Sequence, residues 1–89
     1  MIENLKSQCG QLRIIVTALR ELIEKSSRPT YKERSTLERG ESLLSGTEIM
    51  ITKIEAGYLG APSQAYQETL NGYILYSQKI VSALRKKTA

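Results

Sequence analysis

Eighty-nine residues and 10.0 kDa make one domain with a single core and no room for an enzyme-sized interior cavity. A net charge of +4, with 25% charged and 40% hydrophobic residues, is an ordinary balance for a globular protein. No apolar run approaches the roughly 18–20 residues that span a bilayer. The opening Met1-Ile2-Glu3-Asn4-Leu5-Lys6 carries an acid where a secretion signal needs bases, so a cytoplasmic location is expected.

Leu5, Cys9, Leu12, Val16, Leu19 and Ile23 recur at steps of four and three, which keeps them on one stripe of an α-helix. The spacing predicts a first helix from about Ile2 to Lys25. Ser26-Ser27-Arg28-Pro29 ends it, because proline disfavours the α conformation in the residue before it. Cys9, the single cysteine, lies on the stripe and reads as a small buried hydrophobe. Thr30-Tyr31-Lys32-Glu33 reads as a capping box that starts a second helix. Its stripe is Leu37, Gly40, Leu44, Thr47, Ile51, Ile54 and Tyr58, and Gly57 or Gly60 ends it, with Pro62 as a stop. Ser63 then caps a third helix that carries Tyr66, Leu70, Tyr73, Ser77, Ile80 and Leu84 and continues to about Lys86.

The expected fold is all-α, an antiparallel up-down-up helical bundle of three long helices formed by residues 1–89 as one domain. Gly40 and Gly46 oppose this, since each costs about 1 kcal/mol in a helix interior. A break at Ser45-Gly46-Thr47 gives the alternative of four helices. The apolar phase passes through both glycines without a slip, which favours three. Folding the second and third helices about Gly60 sets Tyr73 opposite Gly46 and Thr47, a large residue against small ones.

The chain has no histidine, and all its acids are glutamate. Without histidine or aspartate, and with one cysteine, it cannot assemble a zinc site, an EF-hand loop or a Ser-His-Asp triad by itself. Gly57-Tyr58-Leu59-Gly60 lacks the lysine and the strand of a phosphate-binding loop. The glutamates have helical neighbours of opposite sign, as in Glu21 and Lys25, and read as a solvated face. Catalytic residues, metal and cofactor are all expected to be absent, and the protein is expected to act by binding.

Charge says where. From Lys25 to Arg39, five cations face Glu33 and Glu38, and Arg85-Lys86-Lys87 adds three more positive charges. In an up-down-up bundle these segments meet at one pole with a formal charge of +6. The helix dipole accounts for cations at helix C-termini, but Lys32 and Arg34 stand in the first turns of a helix, where the dipole opposes them. Four of the five tyrosines crowd the second half of the chain. The candidate partner-binding residues are therefore Arg28, Lys32, Arg34, Tyr66, Tyr73, Tyr76, Arg85, Lys86 and Lys87. Tyr66 and Tyr73 also read as core residues with hydroxyls at the edge, while Tyr76 stands beside the stripe. An acidic protein surface or an anionic membrane face suits the pole; nucleic acid suits it less, for no helix-turn-helix is evident and no single recognition helix carries the charge. Ile14 and Ile49 fall off their stripes and are expected to be exposed, which leaves homo-oligomerisation open.

Ala18-Leu19-Arg20-Glu21-Leu22-Ile23, a polar turn, Glu33-Arg34-Ser35-Thr36-Leu37-Glu38-Arg39-Gly40-Glu41-Ser42-Leu43-Leu44-Ser45-Gly46 and Ile51-Thr52-Lys53-Ile54-Glu55-Ala56-Gly57 together resemble the bacteriocin immunity proteins of lactic acid bacteria and streptococci. The likeness spans roughly residues 18–57 as a pattern of helix ends and leucines. It implies a small cytosolic antiparallel bundle that protects a cell from its own pore-forming peptide. The implied partner is the cytosolic face of a sugar permease in the inner membrane. It also implies a helix end at Gly46, and this chain lacks the longer C-terminal extension of that family. The alternative is an adaptor or regulatory interaction bundle.

Overall fold

The computed structural model describes residues 2–88 and consists of three helices, α1 (Ile2–Lys25), α2 (Tyr31–Glu55) and α3 (Gln64–Thr88). They run up, down and up in a body of 45 × 18 × 17 Å. Each helix starts and stops where its termini find partners. At Thr30 the capping box forms in both directions: Glu33 N–H donates to Thr30 Oγ1 at 3.1 Å, and Thr30 N–H donates to Glu33 Oε1 at 2.9 Å. α2 closes in a Schellman turn. Gly57 N–H reaches the Ile54 carbonyl at 3.1 Å and Tyr58 N–H reaches that of Lys53 at 2.9 Å, with Gly57 at φ +84°. Ser63 Oγ accepts the Tyr66 amide at 3.1 Å and caps α3, which runs two residues past the expected end.

α2 continues through Gly46, so there are three helices and neither the alternative break nor the one implied by the family resemblance occurs. Gly46 is exposed, and a Cβ there would meet nothing within 4 Å. Its helix is held by what lies on either side of it. The glycine lowers local propensity, and packing of the surrounding stripe overrides that weak preference.

α1 is the central element. It packs along both neighbours, whereas the backbones of α2 and α3 come close at few points and are bridged by side chains. Facing two helices widens its buried arc: Gln8 and Ile15 join Leu5, Cys9, Leu12, Val16 and Leu19 in the interior. α3 turns a correspondingly shifted face inward, so Ile74 and Val81 are buried and Ile80 is only half-buried. Leu5, Leu12, Leu19, Leu70 and Leu84 are fully enclosed. The inward face of α2 is much thinner. Its buried residues are Thr36, Gly40 and Thr47, flanked by half-buried leucines and isoleucines. Ile14 and Ile49 are exposed as expected. Tyr58, placed on the second stripe by its spacing, lies beyond the end of α2 and is exposed.

Because α2 buries little apolar bulk, other interactions set its register. Lys6 pairs with Glu55, Arg13 with Glu48 at 2.7 Å, and Arg20 with Glu41 at 2.8 Å. Both series advance by seven residues, and in heptad terms all six are e positions across an antiparallel seam. These glutamates are thus interhelical partners as well as solvated groups. Each exposed pair is weak alone. On the other side, the Tyr73 hydroxyl donates to the Thr36 carbonyl at 2.6 Å, passing over Gly40. The residue four positions after a helical carbonyl stands beside it, and the missing side chain at Gly40 leaves that carbonyl open. A heptad slip would bring Tyr73 to Thr47, where a side chain blocks the approach.

The expected hairpin register is corrected by this contact. Tyr73 faces Gly40 and Thr36; Tyr66 faces Thr47, their hydroxyls 2.7 Å apart. The connection from Ala56 to Ser63 does not fold symmetrically about Gly60. It turns at Gly57 and climbs back beside Met50 and Ile54, which delivers the start of α3 about two turns further along α2.

The two helical glycines of α2 should respond oppositely. Gly46→Ala, at an open position, raises stability by about 1 kcal/mol through helix propensity. At Gly40 a Cβ would lie 2.9 Å from Val16 Cγ2 and inside contact with the Tyr73 hydroxyl. Gly40→Ala therefore lowers stability, with an overpacking cost of about 1–3 kcal/mol exceeding the propensity gain. Adding Tyr73→Phe, which removes the clashing oxygen, recovers part of that loss. Urea melts of the three variants measure each effect, and equal stabilisation by both alanines contradicts the packing described.

Candidate functional site

The topology gathers the end of α1, the start of α2 and the end of α3 at one pole, as the charge pattern predicts. Lys87 Nζ lies 3.4 Å from Glu33 Oε2, which joins α3 to the capping box of α2. The Glu33 carboxyl is held below its ordinary range, chiefly by the Thr30 backbone amide and further by the Lys87 charge. Lys87 is therefore partly neutralised. Lys32 also has a place in the fold, its Nζ 5.8 Å from the centre of the Tyr76 ring. That contact accounts for a cation the helix dipole disfavours. Lys25, Arg28, Arg34, Arg85 and Lys86 are exposed, and among the described residues none has a carboxylate within ion-pair distance.

The tyrosines separate. Tyr76 is 43% exposed and stands at the middle of α3, where the Lys32 ammonium approaches its ring. Tyr73 is 5% exposed with its hydroxyl spent on α2, so it is a core residue and not the contact surface expected of it. Burial pushes its hydroxyl up to about 12, while the Arg39 charge pulls the other way. Tyr66 sits away from the pole, half-buried, bonded to Thr47 and lining a depression with Met50, Ile54 and Leu59. Of the basic residues, Lys32 and Arg39 thus lie against Tyr76, while Tyr66 lies apart from both.

Next to the pole, the gap between α2 and α3 opens as a groove of about 460 Å³ lined by Arg39, Thr69, Gly72, Tyr73 and Tyr76. A depression of about 660 Å³ is lined by α3 residues alone, among them Leu75, Lys79 and Lys86. The surface relief of one helix offers no opposing wall, so the smaller interhelical groove is the better binding feature. Thr69 and Gly72 were absent from the candidate residues, and Arg39 entered only as part of the polar charge. The signal for them was the seven-residue spacing of Lys32 and Arg39, which puts both on one flank of α2.

No helix among the described residues is long and apolar enough to cross a membrane. Comparison with protein-family models, curated proteins and solved structures finds no match. The arrangement itself, a cationic rim around a partly aromatic groove, suits the docking of an anionic group or surface.

Tyr73 gives the site a pH signature. Its folded value lies above that of an unfolded tyrosine, near 10, so its contribution is intact below pH 10 and is lost as pH rises toward about 12. Denaturant midpoints measured from pH 9 to 12 should fall steeply for the native chain and less for Tyr73→Phe. Identical slopes would contradict burial of this hydroxyl.

Proposed function

We propose that the chain is a non-catalytic bundle that acts by docking a protein partner at its basic pole. The observation that carries this reading is the group of exposed cations, Lys25, Arg28, Arg34, Arg85 and Lys86, gathered at one end of the bundle and, among the described residues, without carboxylate partners. The helix dipole covers Lys25, Arg85 and Lys86 in the last turns of their helices, but it gives no account of Arg28 and Arg34, and like charges brought together oppose folding. Lys87 and Lys32 have contacts inside the fold; Arg28 and Arg34 have none. A partner with an acidic surface would neutralise the pole, and Tyr76 offers the amphipathic contact that such interfaces use. The charge sits at a bundle end, which suits a protein face better than the groove of a nucleic acid.

The narrower reading within this proposal is an immunity-type protein that protects a cell from a pore-forming peptide. Its support is the resemblance over residues 18–57 together with the basic pole, which would face a permease at the inner membrane surface.

Two measurements test the two levels. A photo-crosslinking residue at Arg34 or Lys86, in the chain expressed in its source cell, should capture one dominant protein, while the same probe at Glu3 on the other pole should not. Equal capture from both ends removes the docking proposal. Expression in a bacteriocin-sensitive strain should protect it, and Arg34→Glu with Lys86→Glu should abolish the protection. Unchanged killing by the native chain removes the narrower reading alone.

A further inference from the structure

The two seams of α2 are built differently. Toward α1, its glutamates at 41, 48 and 55 meet cations at 20, 13 and 6, and the seam is neutral within the chain. Toward α3, the heptad positions that flank the gap hold Lys32 and Arg39 on α2, and Lys79 and Lys86 on α3, all exposed; Lys53, further along the α2 series, lies opposite the loop before α3. No glutamate occupies any flanking position on either side of this gap. The next member of the α2 series is Gly46, and Gly72 precedes Lys79 in that of α3; at both the wall drops away, and a Cβ there would meet nothing within 4 Å. The floor is partly aromatic, with Tyr73 and Tyr76; beyond it the loop residues 59–63 stand against Met50, Ile54 and Tyr66. The backbones of α2 and α3 approach each other closely at few points, and this side of the triangle is bridged by side chains: Tyr73 to Thr36, Tyr66 to Thr47, Lys87 to Glu33 and Lys32 over Tyr76.

We propose that the α2–α3 seam is the receiving groove for an acidic amphipathic helix of the partner, which lies along it as a fourth helix of the bundle. This rests on the partner-binding reading above and gives the partner its chemistry. Leucine-like side chains would enter between the tyrosines, and glutamates at the flanking positions of the incoming helix would meet the two cationic rims. The contrast with the α1–α2 seam carries the assignment: there three glutamates match three cations at heptad spacing, and here Glu33 takes Lys87 while, among the described residues, Lys32, Arg39, Lys79 and Lys86 have no carboxylate partner. The glycines widen the middle of the groove for a backbone to approach. Charge complementarity would also steer association and make it sensitive to salt.

The test uses the full chain and a labelled synthetic peptide of about three heptads, with leucine at a and d and glutamate at e and g. Fluorescence anisotropy should detect saturable binding that weakens as salt rises, and the lysine version of the peptide should not bind. Lys32→Glu combined with Arg39→Glu should weaken binding by about tenfold or more. Gly72→Leu fills the groove at an exposed position with free space, so the helix signal in circular dichroism persists while peptide binding falls. Ile14→Glu, on α1 away from the seam, should leave binding unchanged. Absence of binding by the acidic peptide, while the pole still crosslinks its partner, overturns the seam assignment and spares the docking proposal. Binding insensitive to the two seam variants overturns it as well. So does tighter binding of phosphatidylserine–phosphatidylcholine vesicles or random duplex DNA with the same variant dependence. Self-association of the chain that these variants abolish would assign the seam to a second copy and overturn it too.

Discussion

The hydrogen bond from the Tyr73 hydroxyl to the Thr36 carbonyl, across the notch left by Gly40, is the contact on which the arrangement of α2 depends. α1 and α3 are joined by fully buried leucines, with Gln8 Nε2 donating to the Gln67 carbonyl at 3.0 Å beside them. α2 brings threonine and glycine to the interior, and hydrophobic burial of small residues specifies a register poorly. One large side chain entering one gap does specify it. The same bond holds α2 and α3 apart by the width of a tyrosine, which is why a groove exists beside them. Stability and the candidate site thus come from one geometric fact.

Electrostatics completes the placement of α2 and leaves a residue. Three ion pairs at heptad spacing align α2 with α1, each weak alone and consistent in direction. Glu33 serves both its own capping box and Lys87, so it ties the start of α2 to the end of α3. What remains after these pairings is nine cations and five glutamates, and most of the cations lie at the pole and along the α2–α3 gap. Exposed cations spaced along a gap repel one another modestly across water, and a folded chain tolerates that at little cost. Their alignment without any acid is the informative part.

Much of this was legible from spacing. The stripes of α1 and α3, the capping box at Thr30 and the proline stops act over a few residues, and a reader of the chain can see all of them. The continuity of α2 through Gly46 was legible for the same reason, since the apolar phase does not slip there. The pairing of Tyr73 was not, because the loop from Ala56 to Ser63 folds back along α2 and shifts the hairpin by about two turns. Seven-residue steps link Lys6, Arg13 and Arg20, and the same steps link Glu41, Glu48 and Glu55. That regularity is visible in the chain, but nothing in it says which columns face each other.

Local physics therefore determined the three helices, their ends and the basic pole: helix periodicity, capping and chain direction are all properties of the sequence. The tertiary structure decided which tyrosine is core and which is surface, which glycine is a notch and which is merely exposed, and which charges are already matched. Those distinctions depend on the azimuth and register of one helix against another. A shift of a few residues in one loop changes every cross-helix neighbour while leaving each helix, and its sequence pattern, the same.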